Sequence, residues 1–192
     1  QRIIEKREIM LETKRLILRP WQVEDAESCY RYAKNPNIGP KAGWPVHDSV
    51  ENSREIIRTV LSAPNTFAVV LKQNMEPIGN ISLMIGKQCN LTNAADEGEI
   101  GYWLGEPYWG QGFIPEAVQC LIRYAFEDCC LKKLWCGSFE GNHNSRRVQE
   151  KCGFHYAGSE VREWPLLQKT LTGHIMSLTI EEWKHSTGTE TN

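Results

Sequence analysis

Two glycines separated by one residue, Gly110 and Gly112, have the spacing in this sequence that most directly suggests chemistry. They follow a β-branched and aromatic run at 99–104 and precede Pro115 and Glu116, residues that favour the start of a helix. A chain that passes from a strand through glycines into a helix leaves several backbone N–H groups directed outward. Those groups and the helix dipole bind anions, most often phosphate. The segment therefore predicts either a phosphate-binding turn or a tight turn without a ligand.

The common nucleotide-binding motifs do not fit this segment. The chain contains no G-x-x-x-x-G-K-[ST] sequence, which excludes a nucleotide P-loop. A third glycine in register is missing, and the turn lies in the middle of the chain instead of after a first strand. Both observations argue against a dinucleotide-binding fingerprint.

The composition limits the partners and the compartment. The 192 residues carry a formal net charge of −2, which argues against a nucleic-acid-binding surface, and no apolar run approaches the ~20 residues of a membrane span. Residues 1–10 are charged and lack the apolar region of a signal peptide. Seven cysteines without C-x-x-C spacing are typical of reduced structural thiols in a cytoplasmic protein. No histidine has ligand spacing with them, so no metal is expected.

Hydrophobic periodicity and turn residues predict the element order β-α-α-β-β-β-α-β-α-β-β. The predicted strands are 14–21, 66–71, 78–85, 99–104, 134–139, 156–161 and 174–180, and the predicted helices are 24–33, 48–62, 115–128 and 144–151. Three consecutive strands suggest an antiparallel meander, and the strand–helix–strand unit suggests one parallel crossover. We therefore expect an α/β (α+β) fold with a mixed, mostly antiparallel sheet, helices on both faces and a cleft between strands 99–104 and 134–139. One domain is expected across 1–192, with loose ends at 1–9 and 186–192.

Three spaced motifs connect the glycine turn to the rest of the chain. They are KRLILRPW at 14–21, GYWLGEPYWGQGFIPEAV at 101–118 and GNHNSRRVQEKCGF at 141–154. With these motifs in this order, the chain resembles the GCN5-related N-acetyltransferase (GNAT) superfamily, and within it the RimJ/RimL-like ribosomal-protein N-terminal acetyltransferase branch. The resemblance covers roughly residues 11–183. It implies the GNAT sheet, acetyl-CoA as cosubstrate and an amine as acceptor.

The resemblance implies that acetyl-CoA lies between strands 99–104 and 134–139. The family pattern Q/R-x-x-G-x-G/A, whose backbone binds the pyrophosphate, falls on 109–114, with departures at Trp109 and Ile114. These departures weaken the match only modestly, because the pyrophosphate is bound by backbone N–H groups. They do not support a contact between the side chain at position 109 and the diphosphate. The implied cofactor-binding residues are Trp103, Leu104, Gly105, Gly110, Gln111, Gly112, Phe113, Ile114, Asn142 and Ser145.

The reaction that the resemblance implies needs a base for the ammonium proton and a proton for the leaving thiolate. Glu99 matches the strand position where GNAT enzymes often carry the base, and Glu97 on the same strand face is the second candidate. A structural carboxylate is the alternative for Glu99. Many GNAT enzymes use a Tyr where this chain has Gln149, which cannot act as an acid. Ser145 is the candidate here, either as a hydrogen-bond relay to the thiol or as a helix cap.

Trp44, His47 and His174 are the candidate contacts to the acceptor, with Trp164 as a further one, and a packing role is the alternative for each. The acceptor amine belongs to a protein N-terminus, a lysine or a small molecule, and the branch likeness favours the N-terminus by analogy. A CoA-binding sensor or interaction module without catalysis is the alternative function. No nucleic-acid, membrane or metal partner is expected, and the chain is expected to be a monomer or a homodimer.

Overall fold

The computed structural model describes residues 8–188, which form an eight-stranded sheet with helices on both faces. The strands are β1 (Leu11–Glu12), β2 (Leu16–Arg19), β3 (Thr66–Leu71), β4 (Glu76–Ile85), β5 (Glu97–Leu104), β6 (Lys133–Phe139), β7 (His155–Trp164) and β8 (Lys169–Thr179). The helices are α1 (Ala26–Ala33), α2 (Gly39–Ala42), α3 (Val50–Thr59), α4 (Phe113–Arg123), α5 (His143–Lys151) and α6 (Ile180–Thr187). A π-helical turn, Tyr124–Asp128, continues α4. Over this part of the chain no helix is both long and apolar enough to cross a membrane.

The sheet order is β1-β2-β3-β4-β5-β6-β8-β7, and every neighbouring pair is antiparallel except β5 and β6. This topology confirms the mixed, mostly antiparallel sheet with one parallel crossover. The structure adds β1, α2 and α6 to the predicted elements. β1 and α2 have two and four residues, too few to show a hydrophobic period, and α6 extends through Thr187 into the segment expected to be loose. The remaining predicted loose ends, 1–7 and 189–192, lie outside the described residues.

Two hydrophobic cores lie on opposite faces of the sheet. On one face α4, α5 and α6 pack against the strands, and Leu121 and Ile122 of α4 are fully buried there. On the other face lie α1, the α2 segment and α3. The consecutive β3 residues Val69 and Val70 belong to different cores, because strand side chains alternate between the faces of a sheet. The site between β5 and β6 therefore has helices on both sides.

The strands β5 and β6 separate after a short paired region. They pair in parallel over four residues, from Glu97 opposite Lys133 to Ile100 opposite Cys136. Beyond this point β5 continues beside β4, and β6 continues beside β8, each to its own end. The two strands therefore diverge, and a V-shaped gap opens in the middle of the sheet. This gap is the cleft predicted from the sequence.

The β7–β8 hairpin closes one side of the gap. At its turn, Trp164 packs edge-on against Phe139, with ring centroids 4.9 Å apart. The same ring packs against Gly43 after α2, where an added Cβ would lie 2.8 Å from it. Gly43 has a φ of +98°, so both its conformation and this close approach favour glycine. Further along β7, Arg162 Nη2 donates to the Asn90 carbonyl over 2.7 Å, which ties the hairpin to the loop before β5.

A substitution at Gly79 on β4 tests how closely β4 packs against the end of β5 that β6 leaves unpaired. An added Cβ would lie 2.4 Å from the Trp103 carbonyl oxygen and 3.0 Å from Leu104 Cα, both backbone atoms. We expect Gly79→Ala to lower the free energy of unfolding by ~1–3 kcal/mol, measured by urea denaturation. Gly101→Ala is the control, because its nearest contact is Ser82 Oγ at 3.4 Å. Equal stability of the two variants would contradict this arrangement of β4 and β5.

Candidate active site

A cavity of about 750 Å³ occupies the gap between β5 and β6. It extends from the glycine turn before α4, through the gap, to the side covered by α2 and the β7–β8 hairpin. The predicted site residues that line it are Trp44, Glu99, Trp103, Leu104, Gly110, Gly112, Phe113, Ile114, Asn142, Ser145, Trp164 and His174. Gly105, Gln111 and His47 are not among the lining residues. Within 8–188, no group of three or more His, Cys, Asp and Glu side chains is placed to hold a metal ion.

The glycine turn is an open stretch of backbone at one end of the cavity. Gly110 and Gly112 have φ values of +75° and +78°, and an added Cβ at Gly110 would meet no atom within 4 Å. Helix α4 begins directly after Gly112 without a side-chain cap. The N–H groups of the first turn of a helix have no intrahelical partner, and Phe113 and Ile114 of this turn line the cavity. This geometry suits the binding of a phosphate group.

Arg15 holds the turn in place from outside the cavity. Its Nε donates to Glu116 Oε1 over 2.8 Å, its Nη1 donates to the Gln111 carbonyl over 3.0 Å, and its guanidinium carbon lies 4.1 Å from the centre of the Phe113 ring. Burial by itself would raise the pKa of Glu116, but hydrogen bonds from Thr13 and Arg15 outweigh it and the pKa falls below its ordinary value. The carboxylate therefore stays charged, and the turn is shaped before any ligand arrives.

The segment between β5 and the turn packs against the end of β5 and against α1. Trp109 departs from the family pattern, and its Nε1 donates to the Leu104 carbonyl over 2.8 Å. The indole is therefore bound to the end of β5. Gly105 lies against the ring of Tyr32, where an added Cβ would come within 2.7 Å of the ring. Gly105 therefore acts in packing at this place, although its neighbours Trp103 and Leu104 line the cavity.

Asn142 and Ser145 lie at the start of α5 and line the gap. Asn142 is the N-cap, since its Oδ1 accepts a hydrogen bond from the Ser145 backbone N–H over 3.2 Å. The Ser145 hydroxyl instead lies 2.7 Å from the Tyr102 hydroxyl and 3.2 Å from Gln149 Nε2. The interpretation of Ser145 as the helix cap is therefore wrong, and its contact with the thiol stays a prediction.

Glu99 lies at the floor of the cavity and is held by the loop between β4 and β5. The residue is 7% exposed, its Oε1 accepts from the backbone N–H groups of Asn90 and Leu91, each over 2.9 Å, and its Oε2 accepts from Asn90 Nδ2 over 3.3 Å. Each carboxylate oxygen has two lone pairs, so Oε2 retains the capacity to accept a proton. Glu99 thus has structural partners and also faces the cavity. Glu97 accepts from Trp135 Nε1 over 2.6 Å and does not line the cavity.

The part of the cavity beside α2 has aromatic walls. The rings of Trp44 and Trp103 lie 5.7 Å apart on one side, and Trp164 stands with Phe139 on the other. Aromatic faces attract cations, and a carboxylate attracts them more strongly. With Glu99 at the floor, this part of the cavity suits an organic ammonium group.

His47 lies behind the aromatic wall. Its Nδ1 is 2.7 Å from Ser53 Oγ, and its ring centre is 5.4 Å from that of Trp44. Burial lowers the pKa of His47, although the charge of Asp48 opposes the shift, so the neutral ring is favoured. These contacts favour the packing role that was the alternative for His47. Its ring packs against Trp44 on the side away from the cavity.

His174 lines the cavity from the face of the sheet that α5 covers. In the register of β6 and β8 it is opposite Ser138, and cross-strand partners project to the same face. Its Nδ1 is 3.2 Å from the Tyr156 hydroxyl, and the guanidinium of Arg146 on α5 lies 4.9 Å from the Tyr156 ring centre. The structure therefore separates His174 from Trp44, and a contact between His174 and the acceptor stays a prediction.

The cavity is also lined by residues that the sequence reasoning does not single out, and three of them bear on the chemistry. Arg147 and Lys151 lie four positions apart on α5, so they share a helix face and bring positive charge to the cavity. Their spacing is visible in the sequence. Tyr102 gives no such signal, because its alternation with Ile100 and Leu104 is that of an ordinary buried strand face.

The chain is similar to known proteins in both sequence and fold. Residues 15–155 match the family of acetyltransferase (GNAT) domains. An uncharacterised N-acetyltransferase of Bacillus licheniformis, p20, is 33% identical over 129 residues, which cover 65% of this chain and 70% of p20. The solved acetyltransferase (GNAT family) of Bacillus anthracis has a TM-score of 0.77 at 20% identity, covering 90% of this chain and 99% of that one. The ribosomal-protein-S5-alanine acetyltransferase of Vibrio fischeri has a TM-score of 0.70 at 20% identity, covering 92% and 99%.

The family match covers most of the chain, which therefore belongs to the GNAT acetyltransferases. This result confirms the family and the enzyme class predicted from the sequence, an N-acetyltransferase. The two structural likenesses confirm the fold. Enzymes of this family use acetyl-CoA as the acetyl donor.

Burial of His47 predicts a pH dependence of stability. Because its folded-state pKa lies below the ordinary value of about 6.5, the unfolded chain binds a proton that the folded chain does not. Stability should therefore fall as pH drops through this value toward the folded pKa. We expect the Tm of His47→Gln to fall less steeply between pH 7 and pH 5 than that of the unchanged protein, while the exposed-site control His143→Gln keeps the original slope. Equal slopes for all three proteins would show that His47 is not buried in neutral form.

Proposed function

We propose that this chain transfers the acetyl group of acetyl-CoA to a primary amine, by direct attack of the amine within a ternary complex. The observation that carries the proposal is a continuous cavity that joins the turn at 110–114 to Glu99 through the gap between β5 and β6. The cosubstrate would enter from the side of α4 and α5, and the acceptor from the side of α2. Their reacting groups would meet in the gap.

The side of the cavity at α4 and α5 fits the coenzyme A moiety. The turn at 110–114 provides open backbone, since an added Cβ at Gly110 would meet no atom within 4 Å and one at Gly112 would meet only Arg15 Nη2, at 3.5 Å. Arg147 and Lys151 offer positive charge to phosphate groups. The family resemblance implies that Asn142 and the main chain near 103–105 would hydrogen-bond the pantetheine arm. On β5 this contact would fall on the edge that β6 leaves unpaired, at 101–103, because the N–H and C=O of Gly105 already bond to Ile78 and Tyr108.

The reaction replaces a C–S bond with a C–N bond. The neutral amine attacks the thioester carbonyl, the C–S bond breaks, and coenzyme A leaves as a thiolate. The proton lost by the nitrogen passes to Glu99 Oε2, directly or through water, and the thiolate is finally protonated to the free thiol. Ser145 would hydrogen-bond the sulfur from the other side of the gap. Direct attack requires no enzyme nucleophile, and burial raises the pKa of Cys136 beside the gap, which keeps its thiol unreactive.

For the acceptor, we propose the N-terminal amine of a peptide, as in the RimJ/RimL-like branch. The fold likeness to a ribosomal-protein-S5-alanine acetyltransferase supports this choice, and Trp44 and Trp164 both line the cavity on the side of α2, where the acceptor would lie. Release of free thiol from acetyl-CoA, measured with peptides, lysine and small amines, tests the proposal. Thiol release with at least one amine is expected. Binding of coenzyme A without release for any amine would instead support a sensor or interaction module.

The glycine turn predicts the effect of a small substitution on coenzyme A binding. We expect Gly112→Ala to weaken binding at least about tenfold, because alanine strains the left-handed backbone at φ +78° and so shifts the N–H groups of the turn. The measurement is the coenzyme A concentration that produces a half-maximal shift of Tm. Gly188→Ala is the matched control, since Gly188 has a φ of +68° at the end of α6, remote from the cavity. If Gly112→Ala folds and binds coenzyme A normally, the diphosphate does not occupy this turn.

The position of Glu99 predicts a loss of turnover that depends on pH. We expect Glu99→Gln to lower kcat by roughly 10²–10⁴-fold near neutral pH, with partial recovery at high pH where the amine loses its proton in solution. Affinity for coenzyme A should remain, because the glutamine carbonyl can still accept from the Asn90 and Leu91 amides. Glu97→Gln is the matched control and should keep full activity. If the pH profile of kcat is unchanged in Glu99→Gln, Glu99 is not the base and serves only to hold the loop at Asn90 and Leu91.

A further inference from the structure

We infer that Tyr102 and Gln149 are positioning residues that act through Ser145, turning its hydroxyl hydrogen toward the sulfur of coenzyme A. This inference rests on the proposed function and concerns the leaving thiolate. Tyr102 and Ser145 both line the gap between β5 and β6, and Gln149 lies fully buried behind them. The hydrogen bonds among the three side chains decide where each hydrogen atom points.

Gln149 acts as a hydrogen-bond donor in this group. Its Nε2 lies 3.0 Å from the Gly137 carbonyl, 3.2 Å from Ser145 Oγ and 3.3 Å from the Tyr102 hydroxyl. A carbonyl oxygen can only accept, so the amide nitrogen and not the amide oxygen must face Gly137. The amide therefore directs one hydrogen to Gly137 and the other to the two hydroxyls.

The distance between the Tyr102 and Ser145 hydroxyls allows either to donate, and we assign Tyr102 as the donor because a phenol is the more acidic of the two. The two hydroxyl oxygens are 2.7 Å apart, the usual length of an O–H···O hydrogen bond. The Ser145 backbone carbonyl is a second acceptor within reach, but its contact of 3.2 Å is longer than the contact between the hydroxyls. Burial raises the pKa of Tyr102 well above its ordinary value, so the phenol keeps the hydrogen that it donates.

The hydroxyl hydrogen of Ser145 then has one direction left. The Ser145 oxygen accepts from Tyr102 and from Gln149, so its own hydrogen turns away from both and into the gap. There it can donate to the sulfur as negative charge develops on it. The step is a hydrogen bond and not a proton transfer, because Ser145 keeps its own proton. The thiolate is protonated afterwards, by the proton that the amine passes to Glu99.

This arrangement accounts for the glutamine at position 149. Where many relatives place a tyrosine on α5, this chain places a tyrosine on β5 and a glutamine on α5. The phenol reaches the gap from the opposite side, and Ser145 lies between it and the sulfur. The amide of Gln149 also satisfies the Gly137 carbonyl, the first β6 position beyond the paired region.

The direct test is the ionisation of the coenzyme A thiol when bound to the protein, followed as thiolate ultraviolet absorbance against pH with desulfo-coenzyme A as the blank. A hydrogen bond to the thiolate favours the charged form, so losing it raises the pKa of the thiol. We expect the acid dissociation constant to fall roughly tenfold in Ser145→Ala and roughly threefold in Tyr102→Phe. The double variant should match Ser145→Ala alone, because Tyr102 acts through Ser145.

Tyr124→Phe is the matched control, since it also removes a buried tyrosine hydroxyl, one that bonds Asn65 away from the cavity, and it should leave the ionisation unchanged. The inference would be overturned if the acid dissociation constant of the thiol were unchanged in Tyr102→Phe or fell further in the double variant. Ser145 would then donate its hydrogen bond to Tyr102 and not to the sulfur. If Tyr102→Phe does not fold, Gln149→Met, which lacks the amide donors, gives the same comparison.

The test separates this inference from the proposed function, because thiol ionisation requires no turnover. A protein that binds coenzyme A but releases no thiol with any amine would overturn the proposed function, and the ionisation result would still decide the role of Tyr102. A protein that does not bind coenzyme A would overturn both.

Discussion

The lost pairing between β5 and β6 is the feature on which the rest of the site depends. Interior strands normally pair on both edges, and buried backbone groups without partners are costly. Here the pairing stops after Ile100 and Cys136, while each strand keeps its other neighbour. A side chain takes over part of the lost bonding, since Gln149 donates to the Gly137 carbonyl over 3.0 Å. The gap is therefore a stable part of the fold, with backbone groups along its edges that a ligand can use.

A single strand divides the chemistry between the two faces of the sheet. Because successive side chains of β5 alternate, Glu99 and Trp103 project toward α2, whereas Tyr102 projects toward α5. The carboxylate proposed for the amine proton and the hydroxyl pair proposed for the sulfur thus lie on opposite sides of one gap. A shift of one residue in register would exchange the two faces. The seven residue pairs between β4 and β5 prevent such a shift and so hold both groups in place.

The features predicted from the sequence are those that depend on neighbours along the chain. The glycine turn and the strand β5 appear where glycine and β-branched residues indicate them, whereas α4 begins at Phe113, two residues before the predicted start at Pro115. The features that were missed depend on distant contacts, such as the bonds of Arg15 to Glu116, which is 101 positions away. The alternative that Ser145 caps α5 failed because Asn142, three residues earlier, is an equally good cap residue and takes that role.

The central claim is that coenzyme A occupies the gap between β5 and β6. Amide hydrogen exchange with and without coenzyme A tests it most directly, because exchange reports on each backbone segment separately. We predict added protection at 101–105, 110–114 and 137–145, with little change in α1 and β1–β3. Protection that is absent from these segments, or that is concentrated around 31–35 and 106–108 on the other side of Tyr32, would contradict the claim.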